Sequence, residues 1–223
     1  LDIKGSKLIK GKQFEGVRVL GEPSDFAYKY ALNGIDELLY VDSVASLYGR
    51  NSLAELLKET SKKIFVPITA SGGIRSVDDA AKLLAYGADK IAVNTEALRN
   101  PSLITQLVDT FGSQCVVISI QARKLINSNR WEAMCEMGRE KSGKDVFDWI
   151  TEIQKLGAGE IVLTSVDKDG ICKGPDSELI KMASAISTVP LVVGGGFSKS
   201  SDIENIFKIK NISAVSIGTA LHK

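Results

Sequence analysis

The feature that most constrains the fold is a regular alternation of short apolar segments with helical segments along all 223 residues. The apolar segments are rich in β-branched residues and lack polar–apolar alternation, which is typical of strands buried on both faces of a parallel sheet. They are Leu1–Ile3, Glu37–Val41, Ile64–Thr69, Lys90–Val93, Cys115–Ile120, Glu160–Thr164, Pro190–Val193 and Ala214–Ile217. The segments with helical periodicity are Ser24–Asn33, Ser52–Lys62, Val77–Tyr86, Pro101–Thr110, Asp145–Leu156, Ser177–Ile186 and Ser200–Ile209.

Eight strands and seven helices without a linker predict an α/β protein in which residues 1–223 form a single (β/α)8 TIM barrel domain. A doubly wound open sheet is the alternative, but the GxGxxG motif expected after its first strand is absent. The segment Ala88–Thr95 resembles Ile212–Thr219, which predicts two similar half-barrels. The chain begins within a strand and ends before an eighth helix, so we expect a protein truncated at both ends.

Composition excludes several classes of function. A net charge of +1 predicts no bulk attraction to nucleic acid or to an anionic membrane. No apolar stretch approaches the roughly 20 residues that a membrane-spanning helix needs. Three dispersed cysteines and a single histidine, His222, argue against a zinc site and favour a reducing cytoplasm. The sequence therefore predicts a cytoplasmic protein without a cofactor.

Small polar residues and glycines follow several strands in matching positions of the two predicted halves. Glycine lets the backbone approach a ligand and present N–H groups to phosphate oxygens. Hydroxyl and amide side chains on the next strand can complete such a site. We therefore expect two phosphate-binding sites on opposite sides of one barrel mouth. Their residues are Gly72, Gly73, Asn94, Thr95, Gly170, Gly195, Gly196, Gly218 and Thr219.

Two carboxylates and a lysine are placed at the same mouth. Asp2 lies in the first strand, and Asp169 follows the sixth, where a buried apolar strand turns polar. Two carboxylates facing one pocket can divide the roles of base and acid if their surroundings separate their pKa values. Lys10 lies in a loop between Gly5 and Gly16, which we interpret as a lid whose lysine can neutralise phosphate. Solvated aspartates and a surface lysine are the plain alternative.

Charged residues also stand at the opposite ends of three strands, namely Glu37, Lys90 and Glu160. At the N-terminal face of a barrel such residues usually form structural ion pairs. A ring that closes the barrel axis is the other interpretation. The polar stretch 123–144 after the fifth strand is too long for a tight turn and predicts a small hairpin over the mouth.

With these residues assembled, the chain resembles the cyclase subunit of imidazole glycerol phosphate synthase over essentially its whole length. The motifs that carry the resemblance are Leu1–Lys4, Leu8–Gly11, Gly34–Leu38, Gly72–Ile74, Gly87–Lys90, Asn94–Thr95, Asn100–Ile104, Phe111–Gln114, Gly157–Glu160, Leu163–Gly170 and Gly194–Gly196. That family is a (β/α)8 barrel that works with a glutamine amidotransferase. Ammonia released by the partner passes along the barrel axis to the mouth.

The resemblance implies both a reaction and residue roles. Ammonia joins a bis-phosphate, phosphoribulosyl-formimino aminoimidazole carboxamide ribotide, which cyclises to imidazole glycerol phosphate and releases the carboxamide ribotide. By resemblance Asp2 is a catalytic aspartate, Lys10 the loop lysine and Asp169 a further active-site carboxylate. The three charged residues at the opposite face match the family's gate to the ammonia tunnel, and the glutaminase is expected there, at the N-terminal face. The arginine of that gate would lie before residue 1.

The sequence departs from the family at the end of the fifth strand, where a second catalytic aspartate is expected and Gln121 stands. A primary amide can orient a substrate by hydrogen bonds but is not a proton-transfer group at neutral pH. Gly194, where the family often has serine, is a smaller departure.

The departure leaves three other functions open. Relatives of this cyclase supply ammonia to convert an acetamido group of a bacterial nucleotide sugar into an acetamidino group, and the stretch Ala45–Asn51 resembles those relatives. A catalytically weakened scaffold that activates the glutaminase is another possibility. A barrel isomerase of the neighbouring step in histidine synthesis is the third, although it would need an aspartate at position 121.

Overall fold

The computed structural model describes residues 1–45 and 53–222. The described strands are β1 Asp2–Lys4, β2 Lys7–Lys12, β3 Glu15–Gly21, β4 Leu38–Asp42, β5 Ile68–Ser71, β6 Lys90–Val93, β7 Val116–Lys124, β8 Trp131–Cys135, β9 Glu140–Asp145, β10 Glu160–Ser165, β11 Leu191–Gly194 and β12 Ala214–Ser216. The described α-helices are α1 Pro23–Leu32, α2 Leu53–Thr60, α3 Val77–Ala85, α4 Thr95–Arg99, α5 Ser102–Phe111, α6 Val146–Lys155, α7 Ser177–Ile186 and α8 Ser200–Phe207. All but Ala45 of the stretch Ala45–Asn51, and the start of the predicted helix Ser52–Lys62, lie outside the described residues.

The predicted (β/α)8 barrel is confirmed. Eight strands pair in parallel in the order β12-β11-β10-β7-β6-β5-β4-β1, and helices connect consecutive members. Each of these strands matches a predicted apolar segment. The two largest shifts are equal: β5 begins at Ile68 rather than Ile64, and β7 ends at Lys124 rather than Ile120. Among the described residues no ladder joins β1 to β12.

The barrel has two apolar layers, because its strands are buried on both faces. The large outer core lies between the sheet and the helices and contains Trp149, Leu53, Leu57 and Ile104. A second, much smaller cluster lies inside the barrel. It consists of Ala92, Val117 and Val162, with Leu39 and Val192 packed against it. Small side chains inside the barrel leave space along its axis. Packing of the outer core against the helices does not require this space.

Two β-hairpins extend beyond the parallel strands. The predicted hairpin in the stretch 123–144 is confirmed: the end of β7 pairs with β8, and β8 pairs with β9. The loop expected between Gly5 and Gly16 is instead part of an ordered hairpin, β2–β3. Its turn carries no Asn-Gly or Asp-Gly signal, and Gln13 and Phe14 adopt left-handed backbone conformations there, so the sequence pattern did not reveal it.

Asp176 fixes the β8–β9 hairpin to the barrel. One of its carboxylate oxygens accepts a hydrogen bond from Leu179 N at the start of α7 (3.2 Å), and the other accepts one from the indole Nε1 of Trp131 (3.1 Å). Trp131 is fully buried. A single carboxylate thus caps a helix and satisfies a buried donor of the hairpin.

Asp176→Ala should lower the free energy of unfolding by roughly 2–4 kcal/mol, since it removes an N-cap and leaves a buried indole N–H unpaired. Urea denaturation followed by tryptophan fluorescence measures this change. Asp148→Ala, at an exposed position in the first turn of α6, is the control and should change stability by less than about 0.5 kcal/mol. Equal effects of the two substitutions would contradict the assigned role of Asp176.

Candidate active site

One large cavity of about 460 Å³ follows the barrel axis and opens at the C-terminal ends of the strands. That volume lies within the range of small-molecule sites. Every predicted site residue except Lys90 lines it. The mouth contributes Asp2, Asp169 and the glycine clusters, whereas Glu37 and Glu160 contribute from the opposite end. The cavity therefore brings both predicted sets of residues into one continuous space.

Lys10 joins the two carboxylates at the mouth. Its Nζ lies 2.8 Å from Asp2 Oδ2 and 3.2 Å from Asp169 Oδ1. Only 8% of the Lys10 side chain is exposed, so the alternative of a surface lysine is wrong. The buried charge is compensated by two ion pairs that connect β2, β1 and the loop after β10.

Lys10 and burial set different pKa values for the two aspartates. Burial disfavours the ionised form of Asp2, but the opposing interactions together, led by attraction to Lys10 and its hydrogen bond, outweigh burial and lower the pKa of Asp2. Burial raises the pKa of Asp169, and the nearby charge of Asp2 adds to this against the opposing effect of Lys10. Burial opposes the charge on Lys10 as well, yet the two carboxylates raise its pKa to about 12. The site holds an ionised Asp2, a charged Lys10 and an Asp169 that takes up a proton more readily than a solvated carboxyl group.

The turn of the β2–β3 hairpin lies against the loop after β10. Gln13 N donates to Asp169 O (2.9 Å), and Gln13 Nε2 donates to Asp167 O (3.0 Å). At Gly170 an added Cβ would collide with the backbone oxygen of Gly11, so only glycine allows this approach. The hairpin therefore covers part of the mouth and delivers Lys10 into it.

The predicted glycine clusters approach neighbouring strands closely. Gly72 and Gly195 both have positive φ, +110° and +94°. An added Cβ would lie 2.5 Å from Asp42 O at the first and 2.7 Å from Ser165 O at the second. These positions follow β5 and β11, at the mouth, and leave backbone unobstructed by side chains on both sides of the cavity.

The β8–β9 hairpin engages the polar residues that follow β6. Asn94 Nδ2 donates to Met134 O (3.1 Å), and Thr95 Oγ1 accepts from Glu136 N (3.0 Å). Asn94 Oδ1 is buried and has no hydrogen-bond partner. The Asn94 side chain thus has its donor bound to protein and an acceptor left over, which the sequence pattern could not indicate.

Gln121, at the end of β7, is 6% exposed. Its Nε2 contacts the sulfur of Met137 in the same hairpin at 3.5 Å, and its Oε1 is buried without a partner. Thr219 Oγ1, after β12, is likewise buried and unpartnered. An amide at position 121 provides hydrogen bonds but no titratable proton.

The charged residues at the N-terminal ends of the strands form one cluster. Lys90 Nζ lies 3.0 Å from Glu37 Oε2 and 2.8 Å from Glu160 Oε2. Thr69 Oγ1 donates to the other oxygen of Glu37 (2.6 Å). The structure therefore brings all three predicted residues together as ion pairs at the N-terminal ends of the strands.

Two aromatic residues that line the cavity were not anticipated. Tyr30 of α1 donates a hydrogen bond to Leu221 O (3.0 Å), and its hydroxyl lies 2.6 Å from His222 Nδ1. Both side chains line the cavity. Burial, with the positive charge of Lys10, lowers the pKa of His222, which favours the neutral imidazole. No local sequence motif links residues so far apart in the chain.

Within residues 1–45 and 53–222, no group of His, Cys, Asp and Glu side chains is arranged to hold a metal ion. In the same part of the chain, no helix combines the length and the apolar character needed to cross a membrane.

Comparisons with known proteins agree with this architecture. The family model described as histidine biosynthesis protein matches residues 1–223. Imidazole glycerol phosphate synthase subunit HisF of Legionella pneumophila is 54% identical over 199 residues, which cover 89% of this chain and 93% of that protein. The subunit of the same name from Lactococcus lactis subsp. lactis is 40% identical over 222 residues, or 100% of this chain and 86% of that protein. HisF of Dictyoglomus turgidum is 39% identical over the same length.

Lys10→Met should lower the free energy of unfolding at pH 7 by roughly 3–5 kcal/mol, because it leaves two buried carboxylates without a counter-charge. Their pKa values then rise above the unfolded values, so the variant regains stability as the pH falls through those raised values. In the wild type, the contribution of Asp2 to stability varies with pH in the opposite sense. Because folding lowers the pKa of Asp2, its carboxylate stabilises the fold at pH values above the pKa of the unfolded state, and this stabilisation is lost as the pH falls through the pKa of the folded state.

Urea denaturation between pH 5 and pH 8 measures this difference, which should shrink toward acid. Lys7→Met, which removes an ion pair with Glu22 that is about half exposed, is the control and should cost less than about 1 kcal/mol. A deficit in Lys10→Met that does not vary with pH would contradict the ion-pair account.

Proposed function

The chain belongs to the histidine biosynthesis protein family, and from this we propose that it is the cyclase subunit of an imidazole glycerol phosphate synthase. Such a lyase uses ammonia from a glutaminase to convert phosphoribulosyl-formimino aminoimidazole carboxamide ribotide into imidazole glycerol phosphate and the carboxamide ribotide. The observation that carries the proposal is the single axial cavity, which has carboxylates and glycine clusters at one end and a charged cluster at the other.

Asp2 and Asp169 are proposed to perform the proton transfers. Asp2 stays ionised beside Lys10 and suits the role of a base. Asp169 has a raised pKa and suits the role of a proton donor or carrier. Lys10 holds both carboxylates in place and supplies a positive charge next to the reacting centre. Gln121 stands where a second catalytic aspartate is expected from the family resemblance, and it contributes hydrogen bonds instead of a proton.

The two glycine clusters are proposed to hold the two phosphates of the substrate. Gly72 and Gly73 follow β5, and Gly195 and Gly196 follow β11, so the clusters lie on different sides of the mouth. Backbone N–H groups exposed by glycine suit phosphate oxygens. The glycines after β10 and β12 and the threonines after β6 and β12 complete the two sites: Gly170, Gly218, Thr95 and Thr219. Asn94, predicted from the sequence as a phosphate ligand, is left out of them, because its Nδ2 donor is bound to Met134 O.

Ammonia is proposed to enter from the N-terminal face, through the cluster of Glu37, Lys90 and Glu160. The small side chains inside the barrel support a passage from there to the mouth. The glutaminase is then expected to dock on this face, where it could deliver ammonia without loss to solvent. Phe65, in the connection before β5, is 95% exposed on the same side and is suited to anchor a partner.

The whole chain is proposed to act as one domain, in a reducing cytoplasm. The outer core is continuous from Ile3 to Ile206, which supports a single folding unit. All three cysteines, Cys115, Cys135 and Cys172, are free thiols, which suits a reducing compartment.

Gln121 favours a second candidate function, the conversion of an acetamido group on a nucleotide-linked sugar to an acetamidino group with ammonia from the same kind of partner. That reaction keeps the axial passage and the charged cluster but does not require a pair of acids for ring closure. An amide in place of the second aspartate is compatible with it.

Steady-state turnover of the phosphoribulosyl ribotide, with ammonium at high pH and no partner, tests the leading proposal. We expect turnover by the wild type and at least a 100-fold lower kcat for Asp2→Asn, which keeps the shape but loses the base. Asp25→Asn, exposed on α1, should retain full activity.

A folded wild type that binds the ribotide without turning it over would instead indicate a scaffold for the glutaminase. Absence of both binding and turnover would favour the nucleotide-sugar reaction.

The proposed docking face makes a separate prediction. Phe65→Asp should weaken binding of the glutaminase at least tenfold, because it places a charge in an apolar contact, and should leave ammonium-dependent turnover unchanged. Ile126→Asp is the matched control, since Ile126 is 91% exposed but lies beyond β7 at the opposite end of the barrel. Titration of labelled glutaminase compares the two variants. Weaker binding of Ile126→Asp with normal binding of Phe65→Asp would place the partner at the mouth.

A further inference from the structure

We infer that Asn94 and Gln121 form a pair of hydrogen-bond acceptors that recognises an amide N–H group of the ligand. The inference rests on the proposed function for the identity of the ligand, but its structural basis is independent. It assigns to Gln121 a specificity-determining role in the position where relatives are expected to carry out proton transfer.

The first observation is that both side chains have an unused acceptor. Asn94 Oδ1 and Gln121 Oε1 are buried and have no hydrogen-bond partner, although both residues line the axial cavity. A buried acceptor left unpaired costs roughly 1–3 kcal/mol. Such a cost is expected where a bound ligand, rather than the protein, provides the missing donor.

The second observation is that the β8–β9 hairpin determines which polar atom of each side-chain amide has no protein partner. Asn94 Nδ2 donates to Met134 O of β8 at 3.1 Å, and Gln121 Nε2 contacts Met137 Sδ beyond β8 at 3.5 Å. The β8–β9 hairpin thus takes the N–H side of both amides. Their carbonyl oxygens are left without a protein partner, in two residues that line the cavity.

The third observation concerns position. Asn94 directly follows β6, and Gln121 lies near the end of β7, which is the neighbouring parallel strand. Both therefore belong to the same wall of the mouth. The carboxylate of Asp2, on β1, and that of Asp169, in the loop after β10, are both tied to Lys10. The unpaired acceptors of Asn94 and Gln121 are therefore neutral groups that take no part in the Lys10 ion pairs.

Two neutral acceptors side by side match a neutral nitrogen group with N–H donors, such as a carboxamide or an acetamido group. A cationic group would be better served by a carboxylate at position 121. The ribotide carries a carboxamide, and the nucleotide sugar of the second candidate function carries an acetamido group. The recognised chemistry is shared, so the choice of probe distinguishes the two sources.

Isothermal titration without ammonium tests the acceptor pair, with the phosphoribulosyl ribotide and UDP-N-acetylglucosamine as probes. Gln121→Met preserves the length of the side chain but removes both polar atoms, and Asn94→Leu does the same at the second position. We expect either substitution to weaken binding of the accepted probe about 10- to 100-fold. The melting temperature of the ligand-free Gln121→Met protein should be unchanged or higher, because an unpaired buried group has been removed.

Gln121→Glu separates recognition from packing, since it retains the acceptor oxygen and adds a titratable group. It should bind the probe within a few-fold of the wild type at pH 8, and also after its carboxyl group takes up a proton, because the neutral acid keeps a carbonyl acceptor as the amide does. Gln121→Met should bind weakly at both pH values. Gln154→Met is the matched control. Gln154 has all its polar atoms bonded between α6 and α7, so this variant should melt at a lower temperature with unchanged affinity.

The outcomes distinguish failure of the acceptor pair from failure of the proposed function. A wild type that binds a probe while Gln121→Met binds it equally well would overturn the acceptor pair and leave the proposed function standing. Equal loss of affinity in Gln121→Glu and Gln121→Met at pH 8 would also overturn it, because the acceptor would not matter. A wild type that binds neither probe would overturn the proposed function and the acceptor pair together.

Discussion

The ion pairs of Lys10 with Asp2 and Asp169 are the interaction on which the rest of the site depends. They connect the first strand of the barrel, the β2–β3 hairpin and the loop after β10, which are far apart in the sequence. A buried lysine is stable only with such compensation. The same contacts separate the pKa values of the two carboxylates, so the packing of the mouth and its capacity for acid–base chemistry have one physical origin.

The β8–β9 hairpin organises the other wall in a different way. It is held to α7 through Trp131 and Asp176, and it binds the N–H groups of Asn94 and Gln121. One wall of the cavity therefore carries the Lys10 ion pairs and the other the unpaired carbonyl oxygens of Asn94 and Gln121. Small apolar side chains line the barrel between this mouth and the cluster around Lys90. A substrate with an anion at each end and an amide between them suits this division, as does a small neutral reactant arriving along the axis.

Much of this architecture could be predicted from the sequence, because buried parallel strands leave a continuous apolar signal. The polar ends of those strands identified Asp2, Asp169 and the glycine clusters. Three features could not be predicted. The β2–β3 hairpin turns through left-handed Gln13 and Phe14 without a recognisable turn motif. The pairing of Tyr30 with His222 and the orientation of the Asn94 amide depend on contacts between distant parts of the chain.

A crystal structure of the protein with the phosphoribulosyl ribotide bound would show directly how the mouth holds its substrate. We expect one phosphate at the glycines after β5 and the other at those after β11. The carboxamide should lie against Gln121 and the reacting atoms near Asp2 and Asp169. A ligand that occupies only one glycine cluster, with its other end directed away from Asp2 and Asp169, would contradict this arrangement.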